Sequence, residues 1–243
     1  GEVPDEVLAV LQALQKSGMT VKQDQTAFDP FAATFDAIII AAPRASYTLT
    51  EIGKLRDYVT NGGLVVMLGD TGKSDANKSL NGILTNFQWT QDPPYIPTGL
   101  SLNYDVVYDS TTNYLGAPTS PIFTAFVDST HPFVKAVTSI VPFASSSISS
   151  TSQAVSFLKG NSTTFAISSD TPGKITQRPV VAALSQIGKG RILLIGDVDI
   201  WSNSNGDSLS PTLTGILAGK NLQFALNVFG YVDNYSVKLP KPT

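Results

Sequence analysis

The chain of 243 residues contains no cysteine. That removes disulfides, thiolate metal sites and a cysteine nucleophile together. It holds a single histidine, His131, and two tryptophans. Charged residues make up only 14% of the chain, against about 25% in an ordinary soluble domain. No Arg-rich run or basic patch interrupts a net charge of −3, which argues against a nucleic-acid partner. No run of 18 apolar residues is present, so no segment reads as a membrane span, and none reads as a signal peptide.

What is present is a hydrophobic fraction of 42%, enough for a sizeable core, under a surface of Ser, Thr and Asn. The length fits one domain over residues 1–243. The low charge suits an extracellular or cell-envelope location. Three N-x-S/T sequons, at Asn77, Asn161 and Asn234, are candidate glycosylation sites.

The first helix carries Pro4, Asp5 and Glu6 in its opening turn and stops at Gly18. Its apolar stripe is Val7, Leu8, Leu11 and Leu14. Residues 20–23 read as a short strand. Phe35–Pro43 is a β-branched run of the kind buried on both faces of a parallel sheet. Thr48 and Glu51 match a capping box, and Asn61-Gly62-Gly63 ends the helix they open. Leu64–Leu68 is a second buried strand, completing a βαβ unit. Residues 70–150 are irregular and insertion-like, with a short helix over 79–87 and a Ser-rich loop or edge over 145–152. Pro179–Gln186 and Arg191–Gly196 form a hairpin about Gly188 and Lys189. An apolar helix over about 220–232 packs deep.

Four segments in this order carry a family resemblance: 35–43; Leu55-Arg56-Asp57-Tyr58-Val59-Thr60-Asn61-Gly62-Gly63; the Gly188–Asp197 strand; and 221–232. Together with Asp197–Asn203 and His131-Pro132, they resemble the non-catalytic class I glutamine-amidotransferase-like domain. That branch includes auxiliary components of gliding-motility-type ABC transporters and intraflagellar-transport-like domains. The resemblance implies a flavodoxin-like α/β three-layer sandwich, mostly parallel, with an added antiparallel hairpin. It also implies a first strand preceding Gly1, whose slot an adjoining segment or partner would fill by strand addition. Catalytic relatives carry a cysteine after the strand that here reads Leu68-Gly69-Asp70-Thr71-Gly72, so amidotransferase chemistry is excluded.

Two loops remain as candidate sites. Asp70 and Thr71 follow a buried strand, where open α/β sheets bind ligands. Gly72-Lys73-Ser74 is not a phosphate loop, because Met67 stands where its first glycine is needed. Asp197, Asp199, Asn203, Asn205 and Asp207 form the densest oxygen cluster. Asp199, Asn203, Asn205 and Asp207 are the candidate ligands of a hard cation such as Ca²⁺, and no other cofactor is expected. Asp70, Thr71, Asp197, Asp199 and Asn203 are candidate ligand-binding residues, and no residue is expected to be catalytic.

Three readings follow. The first is a non-enzymatic structural or interaction module with a protein partner or self-assembly. The second is a carbohydrate or small-ligand binding domain. The third is a hydrolase built on Asp70, Asp197 and Asp199.

Overall fold

The computed structural model describes residues 7–22, 35–87, 97–203 and 215–235. Its principal sheet is mixed. It comprises β1 (Ala37–Ala41), β2 (Leu64–Leu68), β3 (Leu100–Leu102), β7 (Ile148–Ser150), β8 (Ala154–Lys159), β11 (Val180–Ile187) and β12 (Gly190–Ile195). The order is β1-β2-β12-β11-β7-β3, with β8 also paired to β11. Only β1–β2 and β2–β12 are parallel; β12–β11, β11–β8, β11–β7 and β7–β3 are antiparallel. A second sheet joins β4 (Asp105–Asp109), β9 (Thr164–Ser168) and β10 (Ile175–Gln177), and β5 (Asn113–Tyr114) pairs with β6 (Ala117–Pro121). Four α-helices stand among the described residues: α1 (Leu8–Lys16), α2 (Leu49–Thr60), α3 (Asp75–Asn86) and α4 (Asn221–Tyr235).

This corrects the expected flavodoxin-like, mostly parallel sandwich: the chain is mostly β, with a mixed sheet and added antiparallel sheets. The βαβ unit is as expected, but among the described residues it is the only stretch where a crossover helix joins two parallel neighbours. From residue 100 onward the described strands follow one another without an intervening α-helix. Such connections close antiparallel pairs, whereas a parallel pair needs a crossover of a dozen or more residues. Residues 19–22 form no strand.

The core lies on both faces of β2 because successive side chains alternate. Leu64, Val66 and Leu68 join one cluster with Val10 and Leu14 of α1 and Phe224, Ala225 and Val228 of α4. Val65 and Met67 join the other, with Ile52, Leu55 and Val59 of α2 and Leu80, Ile83 and Leu84 of α3. The capping box forms as the sequence predicts: Thr48 Oγ1 accepts from Glu51 N at 3.3 Å, and Thr48 N donates to Glu51 Oε2 at 2.7 Å.

His131 caps the 3₁₀ turn Pro132–Val134, its Nδ1 accepting from Phe133 N at 3.3 Å. Its ring packs edge-on against Phe133 and Phe157. Burial lowers its pKa; the charge of Asp128 opposes this and that of Arg191 adds to it. The neutral ring is therefore a packed cap.

Candidate functional site

Parallel pairing of β2 with β12 brings their carboxyl ends side by side, and Gly69 N donates to Ile195 O at 2.8 Å. Asp70 follows one strand and Asp197 the other. The structure thus brings together the two carboxylates that the sequence assigns to this edge, and Asp70 is close enough to act on the charge of Asp197.

The carboxyl-end crevice between these strands is filled by the chain itself. Ser145, Ser146 and Ser147 are all buried and run across the strand ends. Ser146 N donates to Gly196 O at 3.0 Å, Val107 N to Ser145 O at 2.8 Å and Asn103 N to Ser147 O at 2.8 Å. Ser146 Oγ lies 2.8 Å from Asp70 O and 3.0 Å from Asp105 O. Asp105, also buried, accepts from Ser147 N at 2.7 Å and from Ser147 Oγ at 2.6 Å.

Asn77, fully buried, completes the plug. Its Oδ1 accepts from Asp70 N at 2.9 Å. Its Nδ2 lies 2.6 Å from Asp70 O, 2.8 Å from Gly72 O and 2.9 Å from Ser146 Oγ. Buried polar groups require such partners. This overturns Asn77 as an exposed glycosylation acceptor: the amide is an internal strut between the 70–72 loop and the serine segment.

Asp197 is 2% exposed. Its Oδ2 accepts from Phe143 N at 2.6 Å and its Oδ1 from Asp199 N at 2.9 Å. Burial raises its pKa well above the ordinary carboxylate value, and the negative charges of Asp199 and Asp70 add to this, outweighing the two N–H donors. The carboxyl group thus ties the 141–147 segment to the 3₁₀ turn Asp199–Trp201. An acid whose pKa is raised on folding holds its proton more tightly folded than unfolded. The stability that Asp197 contributes is therefore fully present below the unfolded value near 3.8 and is lost as pH rises through the folded value. Asp197→Asn removes the titrating group, so its urea midpoint is expected to lose that decline. A wild-type midpoint that does not fall relative to that of Asp197→Asn as pH rises through this window would contradict the assignment.

The other candidates take different places. Asp70 is half-buried, and its Oδ1 accepts from the exposed Thr71 N at 2.7 Å. Ser74 Oγ caps α3 through Asn77 N at 3.2 Å, so the Gly72-Lys73-Ser74 stretch is a helix entry. Asn203 Oδ1 accepts from Ala9 N, capping α1 from across the chain. That oxygen holds a helix end. Asn205 and Asp207 lie outside the described residues, as does the side chain of Asn234. Among the described residues, no three His, Cys, Asp or Glu side chains converge as a metal site.

Asn77, Asp105, Ser146 and Ser147 were not assigned any role at this edge from the sequence. One signal was available. Alternation along Asp105-Val106-Val107-Tyr108-Asp109 puts both carboxylates on the face of apolar Val107, so burying Val107 buries them too.

No helix among the described residues is long and apolar enough to cross a membrane. Across nearly the whole chain, the fold is similar to three solved structures. The mmIFT52 N-terminal domain is 18% identical with a TM-score of 0.69, covering 95% of this chain and 92% of that one. Cytoplasmic Protein STM3548 from Salmonella typhimurium is 12% identical with a TM-score of 0.51, covering 93% and 86%. Cytoplasmic Protein STM1381 from Salmonella typhimurium LT2 is 10% identical with a TM-score of 0.50, covering 93% and 87%. At these identities the likeness concerns fold alone. No curated protein matches the chain.

The family model that matches is "Domain of unknown function (DUF4350)", over residues 4–211. It replaces the amidotransferase-like family expected from the four segments, and with it the ABC-transporter-auxiliary assignment. The structure shows why those segments misled. The 61–63 turn and the 188–190 hairpin pack directly on each other: Lys189 N donates to Thr60 O and Arg191 N to Gly63 O, both at 3.1 Å. A Cβ on Gly190 would lie 2.1 Å from Val59 O and 2.3 Å from Gly63 O. Glycines at both places meet one local packing demand, which any helix end seated under a hairpin shares. By the match over residues 4–211, the chain belongs to the DUF4350 family.

Proposed function

We propose that this chain is a non-catalytic structural or interaction module of an extracellular or cell-envelope assembly, working through a protein partner or self-assembly. The observation that carries this is the plug. Where an open sheet offers a ligand crevice, Ser145–Ser147, Asn77 and Asp105 occupy the space and satisfy one another's polar groups. The carboxyl group on which acid–base chemistry would rest, Asp197, is buried and committed to two backbone amides. A general acid or base must reach substrate directly or through one water. The low charge and the Ser/Thr/Asn-rich composition support the location.

The test is turnover of chromogenic glycosides, esters and phosphomonoesters by the whole chain beside Asp70→Asn and Asp197→Asn. No turnover above buffer is expected from any of the three. Turnover that either substitution abolishes while the protein stays folded would overturn the reading in favour of a carboxylate hydrolase.

A further inference from the structure

Of the three sequons, the fold singles out one. Asn161 begins the tight turn between β8 and β9, where Ser162 and Thr163 are exposed. Its Oδ1 accepts from Thr163 N at 2.8 Å and Thr164 N at 3.1 Å, and the Thr163 and Thr164 hydroxyl oxygens lie 2.7 and 3.0 Å from it. The oxygen is therefore fully engaged, whereas no described residue accepts from Nδ2. The turn is held from beneath by Asp109, whose Oδ2 accepts from Thr163 Oγ1 at 2.8 Å and Thr164 Oγ1 at 3.0 Å. Burial acts most strongly on Asp109 and would raise its pKa. The Thr112 and Thr111 N–H groups, with the Thr163 and Thr111 hydroxyls, outweigh it and bring the pKa down to about 2. Asp109 is thus an ionised acceptor at neutral pH, and the turn is ordered before anything binds it.

We infer that Asn161 is an N-glycosylation site of the folded chain and that Asn77 is not. The inference rests on the extracellular or cell-envelope reading above. The donor is a lipid-linked sugar diphosphate carried to the chain by a host transferase. A bond forms between Asn161 Nδ2 and the anomeric carbon. The bond from that carbon to the diphosphate oxygen breaks, its electron pair leaving on the diphosphate, and one Nδ2 proton is released. The product keeps its amide carbonyl, so the Thr163 and Thr164 N–H bonds into Oδ1 survive and the sugar projects from the Nδ2 side. The same reaction at Asn77 would place a sugar on a nitrogen packed against Asp70 O, Gly72 O and Ser146 Oγ with no exposed surface. Such a chain could not close its plug.

The test is peptide mapping of the protein recovered from its native host, read by mass spectrometry before and after enzymatic removal of N-linked sugar. A sugar increment on the peptide carrying Asn161, and none on that carrying Asn77, is the expected result. Asn161→Gln should abolish the increment. Thr163→Ser, which keeps the hydroxyl, should retain it. An unmodified Asn161 in protein recovered outside the cytoplasm would overturn the inference and leave the location standing, as would sugar on Asn77. Recovery from the cytoplasm alone would overturn the location and the inference with it.

Discussion

Asn77→Ala is expected to lower the unfolding free energy by about 3–4 kcal/mol. One side chain meets four polar partners, Asp70 N, Asp70 O, Gly72 O and Ser146 Oγ, the bonds to the last two being fully buried. Removing it leaves them without that partner, and each buried group left unmade costs about 1–3 kcal/mol before relaxation. In a domain of this size, about 3 kcal/mol corresponds to roughly 6–12 °C of melting temperature. Asn77→Asp sharpens the argument. It keeps the Oδ1 acceptor for Asp70 N but replaces the donor with a second oxygen facing the carbonyls of Asp70 and Gly72. It is expected to be at least as damaging, and to recover partly in acid as the new carboxyl group takes up a proton. Asn61→Ala, by contrast, removes only an exposed bond to Asp57 O and should cost less than about 1 kcal/mol. Urea titrations of the three variants decide the matter. A small effect at Asn77 would mean that the serine segment does not depend on it.

Gly196→Ala is expected to be at least as costly, by a different route. A Cβ at this position would lie 1.9 Å from Ser146 O and 2.7 Å from Ser145 Oγ. The obstruction is chiefly backbone, and that backbone is held by the bond from Ser146 N to Gly196 O and by the Ser146 contacts with Asp70 and Asp105. Overpacking a well-filled core costs about 1–3 kcal/mol, and more where the neighbour cannot yield. About 3 kcal/mol or more is the expected loss, with poor soluble yield. The contrast is Gly82→Ala in α3, where an added Cβ meets nothing within 4 Å. There, replacing glycine in a helix should stabilise by roughly 0.5–1 kcal/mol. Equal tolerance at both positions would show that the serine segment sits loosely on the strand ends.

The contrast between these glycines shows what was legible in the sequence. Local patterns carried the βαβ unit, the Thr48–Glu51 capping box, the hairpin at Gly188-Lys189 and the deep helix α4, because each is written in residues a few positions apart. The shared edge of Asp70 and Asp197 followed from that topology. The plug did not. A run of serines has the composition of a solvated loop, and Ser145–Ser147 are buried only because Asn77, 69 positions before Ser146, and Asp105, 42 positions before Ser147, supply their partners. The antiparallel strands beyond that hairpin were missed for a related reason. β3, β7 and β10 are three residues each, and β5 two, too short for alternation to register. Asn203 looked like a ligand because an amide oxygen in an acidic loop serves equally well as a helix cap. The cap on the distant Ala9 N–H is visible only in the fold.

The central claim is that the strand-end crevice is permanently filled by the chain's own backbone. Native-state hydrogen exchange at the amides of Asp70, Phe143, Ser146 and Ser147 tests it most directly. These amides are expected to exchange only through global unfolding, as slowly as those of β2 and β12. Exchange at the rate of exposed loops, with β2 and β12 still protected, would show a segment that lifts away to open a site, and would contradict the account.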